Sequence, residues 1–340
     1  MHTAGLIDLQ VNGYSGVDFN AAAITADALD HALHAMLLSG VTTCLPTLIT
    51  APAGDLAARL GAIDAAVAAS RLGPLMIPGY HLEGPFLSPL AGYAGCHPPD
   101  AMVPPDPDMI DRLVAPLRRP VLLLTLAPER EGAIDLIKAA IGRGIVIAVG
   151  HTAASAEDIA RAAAAGATLS THLGNALPQP QPKFLNPLMA QLAEDRLTAG
   201  FIADGIHVPP AALKVMIRAK GPARAVLVTD ATAAAAAAPG LYAFAGMVIE
   251  HAADGSVRVP GAKALAGSAL CLDQAIRNLV AWGIATPSEA TAMASGIPAR
   301  LMAPAMQHHG IRMPPNRVIW SEGLVPRIIS IADLKILRPR

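Results

Sequence analysis

Val121-Leu-Leu-Leu-Thr-Leu126, Gly132-Ala-Ile-Asp-Leu-Ile-Lys-Ala-Ala-Ile141 and Ile145-Val-Ile-Ala-Val149-Gly-His151 follow one another with only short breaks. Two brief apolar runs flank a stretch with the length and period of an amphipathic helix, which is the pattern of a βα unit in a parallel sheet. Outward from this unit the alternation repeats along the chain. Further runs are Leu6–Val11, Val41–Leu48, Leu75–Tyr80, Thr168–Thr171, Leu197–Ile202 and Ala225–Val228, eight in all. Between them Ala26–Leu38, Asp55–Ala69, Pro107–Leu117, Ala156–Ala165 and Pro209–Arg218 read as helices, and Ser268–Trp282 follows the eighth run. Eight strands alternating with helices predict an α/β fold, a (β/α)8 TIM barrel.

In such a barrel the site collects at the carboxyl ends of the strands. Polar residues stand there. Gln10 and Asn12 close the first run, His81 and Glu83 the third, His151 the fifth, His172 the sixth and Asp230 the eighth, while His207 follows the seventh. The turn after the first run, Val11-Asn-Gly-Tyr-Ser-Gly-Val17, lacks the G-x-G-x-x-G spacing of a dinucleotide-binding doubly wound sheet. Between Gly240 and Gly267 the pattern changes. Tyr242–His251 and Ser256–Val259, joined through Asp254-Gly255, predict a β-hairpin excursion over 240–262. The run Ala231–Ala238 reads equally as a loop or a short helix. The barrel is expected to occupy residues 1–310 and a C-terminal β segment residues 311–340.

The composition is 53% hydrophobic and 15% charged, with a mean hydropathy of +0.44. The longest charge-free stretches contain histidines, threonines, Gly40 and Pro46, and none reads as a membrane span of about 20 apolar residues. The start shows no basic segment leading into an apolar run, so a cytoplasmic protein is expected. With 25 basic and 26 acidic residues in no blocks, the chain carries no footprint for nucleic acid or anionic lipid, which leaves a small-molecule partner. Cys44, Cys96 and Cys271 are odd in number and widely spaced, suggesting neither a disulfide framework nor a thiolate metal site. So little charge leaves apolar surface for a second subunit to cover, and a homodimer is expected.

Glu83, His151 and His172 offer one carboxylate and two imidazoles, a set that suits a catalytic zinc with a position left for water. Facing such a metal, Asp230 can accept a proton from the attacking water and return it to a departing nitrogen, so hydrolysis of an amide is the natural reaction. Without that set Asp230 reads as an ordinary turn aspartate, and His2, His31, His34, His251, His308 and His309 read as packing or surface residues.

From Gly5 to about Arg300 the chain resembles the N-acetylglucosamine-6-phosphate deacetylase family of the amidohydrolase superfamily. The resemblance rests on Gly5-Leu-Ile-Asp-Leu-Gln-Val-Asn-Gly13, His81-Leu-Glu-Gly-Pro-Phe86, Gly150-His-Thr152, Thr171-His-Leu-Gly-Asn-Ala176, Ile202-Ala-Asp-Gly-Ile-His207, Val228-Thr-Asp-Ala231 and Leu265-Ala-Gly-Ser268. It implies deacetylation of N-acetylglucosamine 6-phosphate, with Glu83, His151 and His172 as ligands of one divalent metal and Asp230 as acid/base. Zinc is the expected metal, with iron, manganese or cobalt as alternatives. The resemblance further implies that His97, Asn175, the Ala176 backbone and His207 contact the sugar, and that His207 helps polarise the amide carbonyl. Gln10-Val-Asn12 stands where many superfamily members carry His-x-His, which favours a single metal. In place of an Arg-Glu-Pro-Gly-like segment the chain reads Leu177-Pro-Gln-Pro-Gln-Pro-Lys-Phe-Leu-Asn-Pro187, making Lys183 the expected phosphate contact. Four residues precede Gly5, so the family's small β-sandwich is expected to be reduced, built mostly from Arg312–Leu337 with strands Val318–Trp320 and Arg327–Ile331. Two other readings carry weight: the same mechanism on another N-acylated amine, such as an unphosphorylated amino sugar or an acyl-amino acid, and a noncatalytic ligand-binding descendant.

Overall fold

The structure, a computed structural model, describes residues 1–330. Eight strands run parallel in the order they occur in the chain: β1 (Leu6–Val11), β2 (Val41–Ile49), β3 (Tyr80–Glu83), β4 (Val121–Leu126), β5 (Val146–Val149), β6 (Leu169–Ser170), β7 (Thr198–Phe201) and β8 (Ala225–Leu227). Each is followed by a helix: α1 (Ala26–Leu38), α2 (Ala53–Ala69), α3 (Pro107–Val114), α4 (Ala133–Gly142), α5 (Ala156–Ala165), α6 (Pro187–Ala193), α7 (Pro210–Lys220) and α8 (Leu272–Ala281). Every residue of β4 is buried, as a strand sandwiched between barrel interior and outer helices requires. Beyond the ends of β1 and β8 the barrel closes through local contacts. The Asp230 N–H donates to the Gln10 carbonyl (2.9 Å), and that of Asn12 donates to the Ala231 carbonyl (2.7 Å).

Local chemistry explains the element ends. Thr25 caps α1 by accepting from the Ala28 N–H, and Ser155 with Asp158 forms a capping box on α5. Pro46 lies inside β2 and has no N–H to pair, and the register between β1 and β2 shifts beside it; the Val11 N–H is satisfied by the Thr47 hydroxyl (3.0 Å).

Four expectations are corrected. The third strand begins at Tyr80 rather than Leu75, because Gly73–Met76 forms a helical turn with Pro74 at its start and Pro78 offers no ladder donor. His81 and Glu83 therefore belong to the strand itself, and their two-residue spacing aims both at the same face. The excursion is a three-stranded antiparallel meander, Gly240–Phe244, Met247–His251 and Val257–Arg258. Its first turn is Ala245-Gly246, with both residues at positive φ (52° and 86°), a conformation glycine suits and a two-residue hairpin needs. The Ala-rich run is neither a free loop nor a helix. Ala233, Ala234 and Ala235 are buried, and the Gly16 and Ser15 N–H groups donate to the Ala233 and Ala235 carbonyls. Finally, His2–Ala4 leaves the barrel to pair with Arg317–Trp320, which pairs in turn with Pro326–Ile329. Residues 331–340, including Ile331 of the expected last strand, lie outside the described residues.

Candidate active site

The carboxyl ends of the strands surround a cavity of about 520 Å3. It is lined by Glu83, His97, His151, His172, Asn175, Ala176, His207 and Asp230, so the structure brings together every sequence candidate except Lys183. Lys183 is exposed and does not line this cavity, because the proline-rich segment carries it outward. A larger cavity, about 780 Å3, opens beside α1 and α8 and contains none of these residues.

Backbone geometry aims the side chains inward. His151, His172, Ala176 and Asp230 all have positive φ (49°, 20°, 50° and 50°), a region costly for residues with a Cβ and concentrated at functional sites. Gly84, directly after Glu83, has φ +90°, and a Cβ there would meet the Thr50 hydroxyl at 2.1 Å, so only glycine lets the chain turn away from the carboxylate.

Three donor atoms converge. Glu83 Oε1 lies 3.3 Å from His151 Nε2 and 3.0 Å from His172 Nε2, and the two ring nitrogens are 3.1 Å apart. His151 Nδ1 sits 2.9 Å from the Tyr93 carbonyl, which can only accept, so Nδ1 carries the proton and a neutral ring turns its Nε2 lone pair to the cluster. Among the described residues His172 Nδ1 is buried without a hydrogen-bond partner. Glu83, His97 and His151 also place ligand atoms within 4.8 Å of one another, an overlapping set. His97 stands apart from the point where the other three atoms meet: its Nε2 faces the other carboxylate oxygen, Glu83 Oε2, at 3.7 Å, while its Nδ1 lies 3.0 Å from the Thr50 hydroxyl and 3.4 Å from the Thr50 N–H. Burial, with His151 alongside, pushes the His97 imidazole down to about 4, so it is neutral.

Electrostatics follows the same layout. Burial alone would raise Glu83, but the His151, His172 and His97 rings packed against it, donors to the carboxylate when protonated, outweigh it and hold the carboxyl well below the usual range. Burial, and then the charge of Glu83, push Asp230 up to about 6. For His172 burial works against the charged form, and the hydrogen bond and charge of Glu83 prevail, raising it.

Gln10 and Asn12 serve this pair of carboxylates. Gln10 Nε2 donates to Glu83 Oε1 (2.9 Å) and lies 3.3 Å from Asp230 Oδ1, and Asn12 Nδ2 donates to Asp230 Oδ1 (2.7 Å). Amide donors thus bridge the two carboxylates and offset their repulsion. His81 does not reach the cavity. Its ring spans Thr47 Oγ1 (3.1 Å) and Thr125 Oγ1 (2.8 Å) inside the barrel, and burial pushes it down to about 4.

Several contributors escaped the sequence reading. Asp204 Oδ2 accepts from His207 Nδ1 (2.6 Å), and its Oδ1 accepts the Ile206 and His207 N–H groups, fixing the ring with Nε2 free. Glu129 accepts from the Ala153 N–H (2.7 Å) and the Thr152 hydroxyl (2.5 Å), bracing the turn that carries His151. Asp8 Oδ2 accepts from the Thr229 hydroxyl (2.6 Å), directly before Asp230. The Asp-x-x-His spacing of Asp204 and His207 was the one signal available for any of these. Arg258 and Lys263, from the meander arm, also line the cavity.

Residues 1–303 match the Amidohydrolase family. The chain is 34% identical over 297 residues to N-acetylgalactosamine-6-phosphate deacetylase of Escherichia coli O157:H7, covering 87% of this chain and 76% of that protein. It is 33% identical over 285 residues to N-acetylglucosamine-6-phosphate deacetylase of Bacillus subtilis, covering 81% and 68%. Among solved structures, N-acetyl-D-glucosamine-6-phosphate deacetylase from Mycobacterium smegmatis, in complex with N-acetyl-D-glucosamine-6-phosphate, is similar with a TM-score of 0.85 at 32% identity, covering 98% of this chain and 86% of that one.

Proposed function

The chain belongs to the amidohydrolase family and, within it, to the family of N-acetylglucosamine-6-phosphate deacetylase, and from that premise we propose that it hydrolyses the N-acetyl amide of N-acetylglucosamine 6-phosphate to glucosamine 6-phosphate and acetate. The observation that carries this reading is the convergence of Glu83, His151 and His172 on one point, with Asp230 in the same cavity.

Glu83 Oε1, His151 Nε2 and His172 Nε2 would hold one divalent metal, and the Glu/His/His set favours zinc. When bound, the metal supplies Lewis acidity, lowering the pKa of water and polarising the amide carbonyl. Asp230 takes the proton of the attacking water and passes it to the amine nitrogen as the C–N bond breaks, so that a neutral amine leaves. His207, held by Asp204, would stabilise the charge that gathers on the carbonyl oxygen by donating from a protonated Nε2, with the Asp204 carboxylate balancing the imidazolium. Asn175 spends its Nδ2 on the His172 carbonyl (2.8 Å), leaving its Oδ1 for a sugar hydroxyl, beside Ala176. His97, its Nε2 3.7 Å from Glu83 Oε2, stands beside that carboxylate at the cavity wall, where it can contact the sugar. Self-association into a dimer goes with this reading and is supported by Phe184 and Leu185, large apolar side chains exposed to solvent on the proline-rich segment.

Acetate release by zinc-reconstituted protein tests the proposal, with N-acetylglucosamine 6-phosphate, N-acetylglucosamine and N-acetylgalactosamine 6-phosphate side by side. Turnover of the first with preference over the second is expected. The third measures discrimination at the 4-hydroxyl, which the E. coli relative makes worth separating. Release from none of them would remove the reading.

The Asp204–His207 pair yields a further prediction. Asp204→Ala frees the ring and is expected to lower kcat about tenfold to a hundredfold, whereas Asp204→Asn, which keeps a hydrogen-bonding group at Nδ1, loses less. Equal kcat losses in the two variants, or a change in melting temperature alone, would show that Asp204 supports the loop and not the reaction.

A further inference from the structure

A phosphorylated sugar brings a dianion into the cavity, and cations must face it. Among the residues lining the cavity, only Arg258 and Lys263 carry a permanent positive charge. Both come from the meander arm: Arg258 ends its third strand, and Lys263 lies in the loop that returns to the barrel at Leu265. Arg258 shapes that loop. Its backbone bridges antiparallel to Leu265, and its Nη1 donates to the Lys263 carbonyl, so the two charged side chains are tied to one short hairpin. Neither forms a salt bridge among the described residues. Asp254, the carboxylate that senses Arg258, stands on the turn before the third strand and accepts from the Ser256 N–H (2.9 Å). Arg258 is half-buried and Lys263 exposed, which sets an anchored guanidinium behind an exposed ammonium at the cavity rim.

Resting on the proposed deacetylation, we infer that Arg258 and Lys263 bind the 6-phosphate, filling the role the sequence had suggested for Lys183. With Nη1 anchored on Lys263, the Nε and Nη2 donors of Arg258 remain for two phosphate oxygens, and Lys263 adds a point charge. Specificity for a phosphorylated substrate then resides in the meander arm, an element separate from the strands that carry the amide chemistry.

The test compares zinc-reconstituted wild type with Arg258→Gln, Lys263→Glu and Lys183→Met in phosphate-free buffer. The ratio of kcat/KM for N-acetylglucosamine 6-phosphate to that for N-acetylglucosamine is expected to fall about tenfold to a hundredfold in each of the first two, as the loss of a charged hydrogen bond predicts. Arg258→Gln can also shift the loop, and Lys263→Glu keeps the Arg258 anchors, so the second variant carries the decision. Calorimetric binding of glucosamine 6-phosphate against glucosamine gives a readout that needs no turnover. Phosphate-selective binding that weakens in Lys263→Glu upholds the inference even if no acetate is released, an outcome that would defeat only the proposed deacetylation. An unchanged ratio and unchanged binding in Lys263→Glu overturn it, as does a loss confined to Lys183→Met, or a wild type with no preference for the phosphorylated sugar.

Discussion

Asp230→Asn is expected to lower kcat for acetate release by about 10²- to 10⁴-fold, the range for loss of a positioned acid/base, while the protein stays folded and keeps its metal. The substitution is close to isosteric. The oxygen of the new amide can still accept from Asn12 Nδ2, and the backbone contacts of position 230 to Gln10 and Ser268 are untouched. What the variant loses is the capacity to take a proton from water and deliver it to nitrogen. KM should therefore move much less than kcat. Stability offers a second signature. Burial and the nearby charge of Glu83 both disfavour an ionised Asp230, so removing that charge relieves a repulsion, and the melting temperature of the metal-free variant is expected to equal or exceed that of wild type. Turnover within tenfold of wild type would remove Asp230 from the reaction. A lower melting temperature with equal loss of metal would make it a structural residue.

How far the sequence carries depends on whether an element is set by its own residues or by its neighbours. α1 and α5 begin and end where their periodicity and their Thr25 and Ser155 caps predict, and β4 matches its apolar run, because each is specified locally. β3 begins five residues later than expected. Leu75 and Met76 are as apolar as a strand requires, but pairing starts only where the Tyr80 N–H finds the Pro120 carbonyl, a partner about 40 residues away in the chain. The Ala-rich run had no periodicity to read; its place is set by backbone groups of residues 12–16 and by methyl groups small enough to be buried. α6 and the helices Pro287–Met293 and Gly296–His308 went unassigned beside these stronger signals. At the site the same division holds. Strand-end position identified Glu83, His151, His172 and Asp230, since the barrel gathers strand ends. Arg258 and Lys263 lie in a β excursion whose distance from the site is set by tertiary contacts, the packing of Phe244, Ile249 and Val257 against Ile49 and Ala234 and the hydrogen bonds of Ala245 to Asp18 and Arg59. Lys183 follows the Asn-Ala motif in the chain, but it lies exposed on the proline-rich segment and outside the cavity lining.

His172→Ala is expected to empty the metal site, and His97→Gln is not. Both imidazoles approach Glu83, His172 at 3.0 Å and His97 at 3.7 Å, but on different oxygens. His172 Nε2 faces Oε1, the oxygen that also lies 3.3 Å from His151 Nε2, and the two ring nitrogens are 3.1 Å apart, whereas His97 Nε2 faces Oε2. Gln can place an N–H beside Oε2. Among the described residues His172 Nδ1 has no partner, so its ring is free to carry its proton there and offer Nε2 as a ligand. Removing a ligand should weaken metal binding by more than about a hundredfold, whereas changing a group that only orients a ligand costs about tenfold to a hundredfold. After dialysis against zinc-free buffer, elemental analysis should find about one zinc per chain in wild type, close to none in His172→Ala and a substantial fraction in His97→Gln. The opposite ranking would assign the site to Glu83, His97 and His151. A wild-type content of about two would overturn the single-metal reading, because Gln10 and Asn12, which spend their amide donors on Glu83 and Asp230, would have to release both carboxylates to admit a second ion.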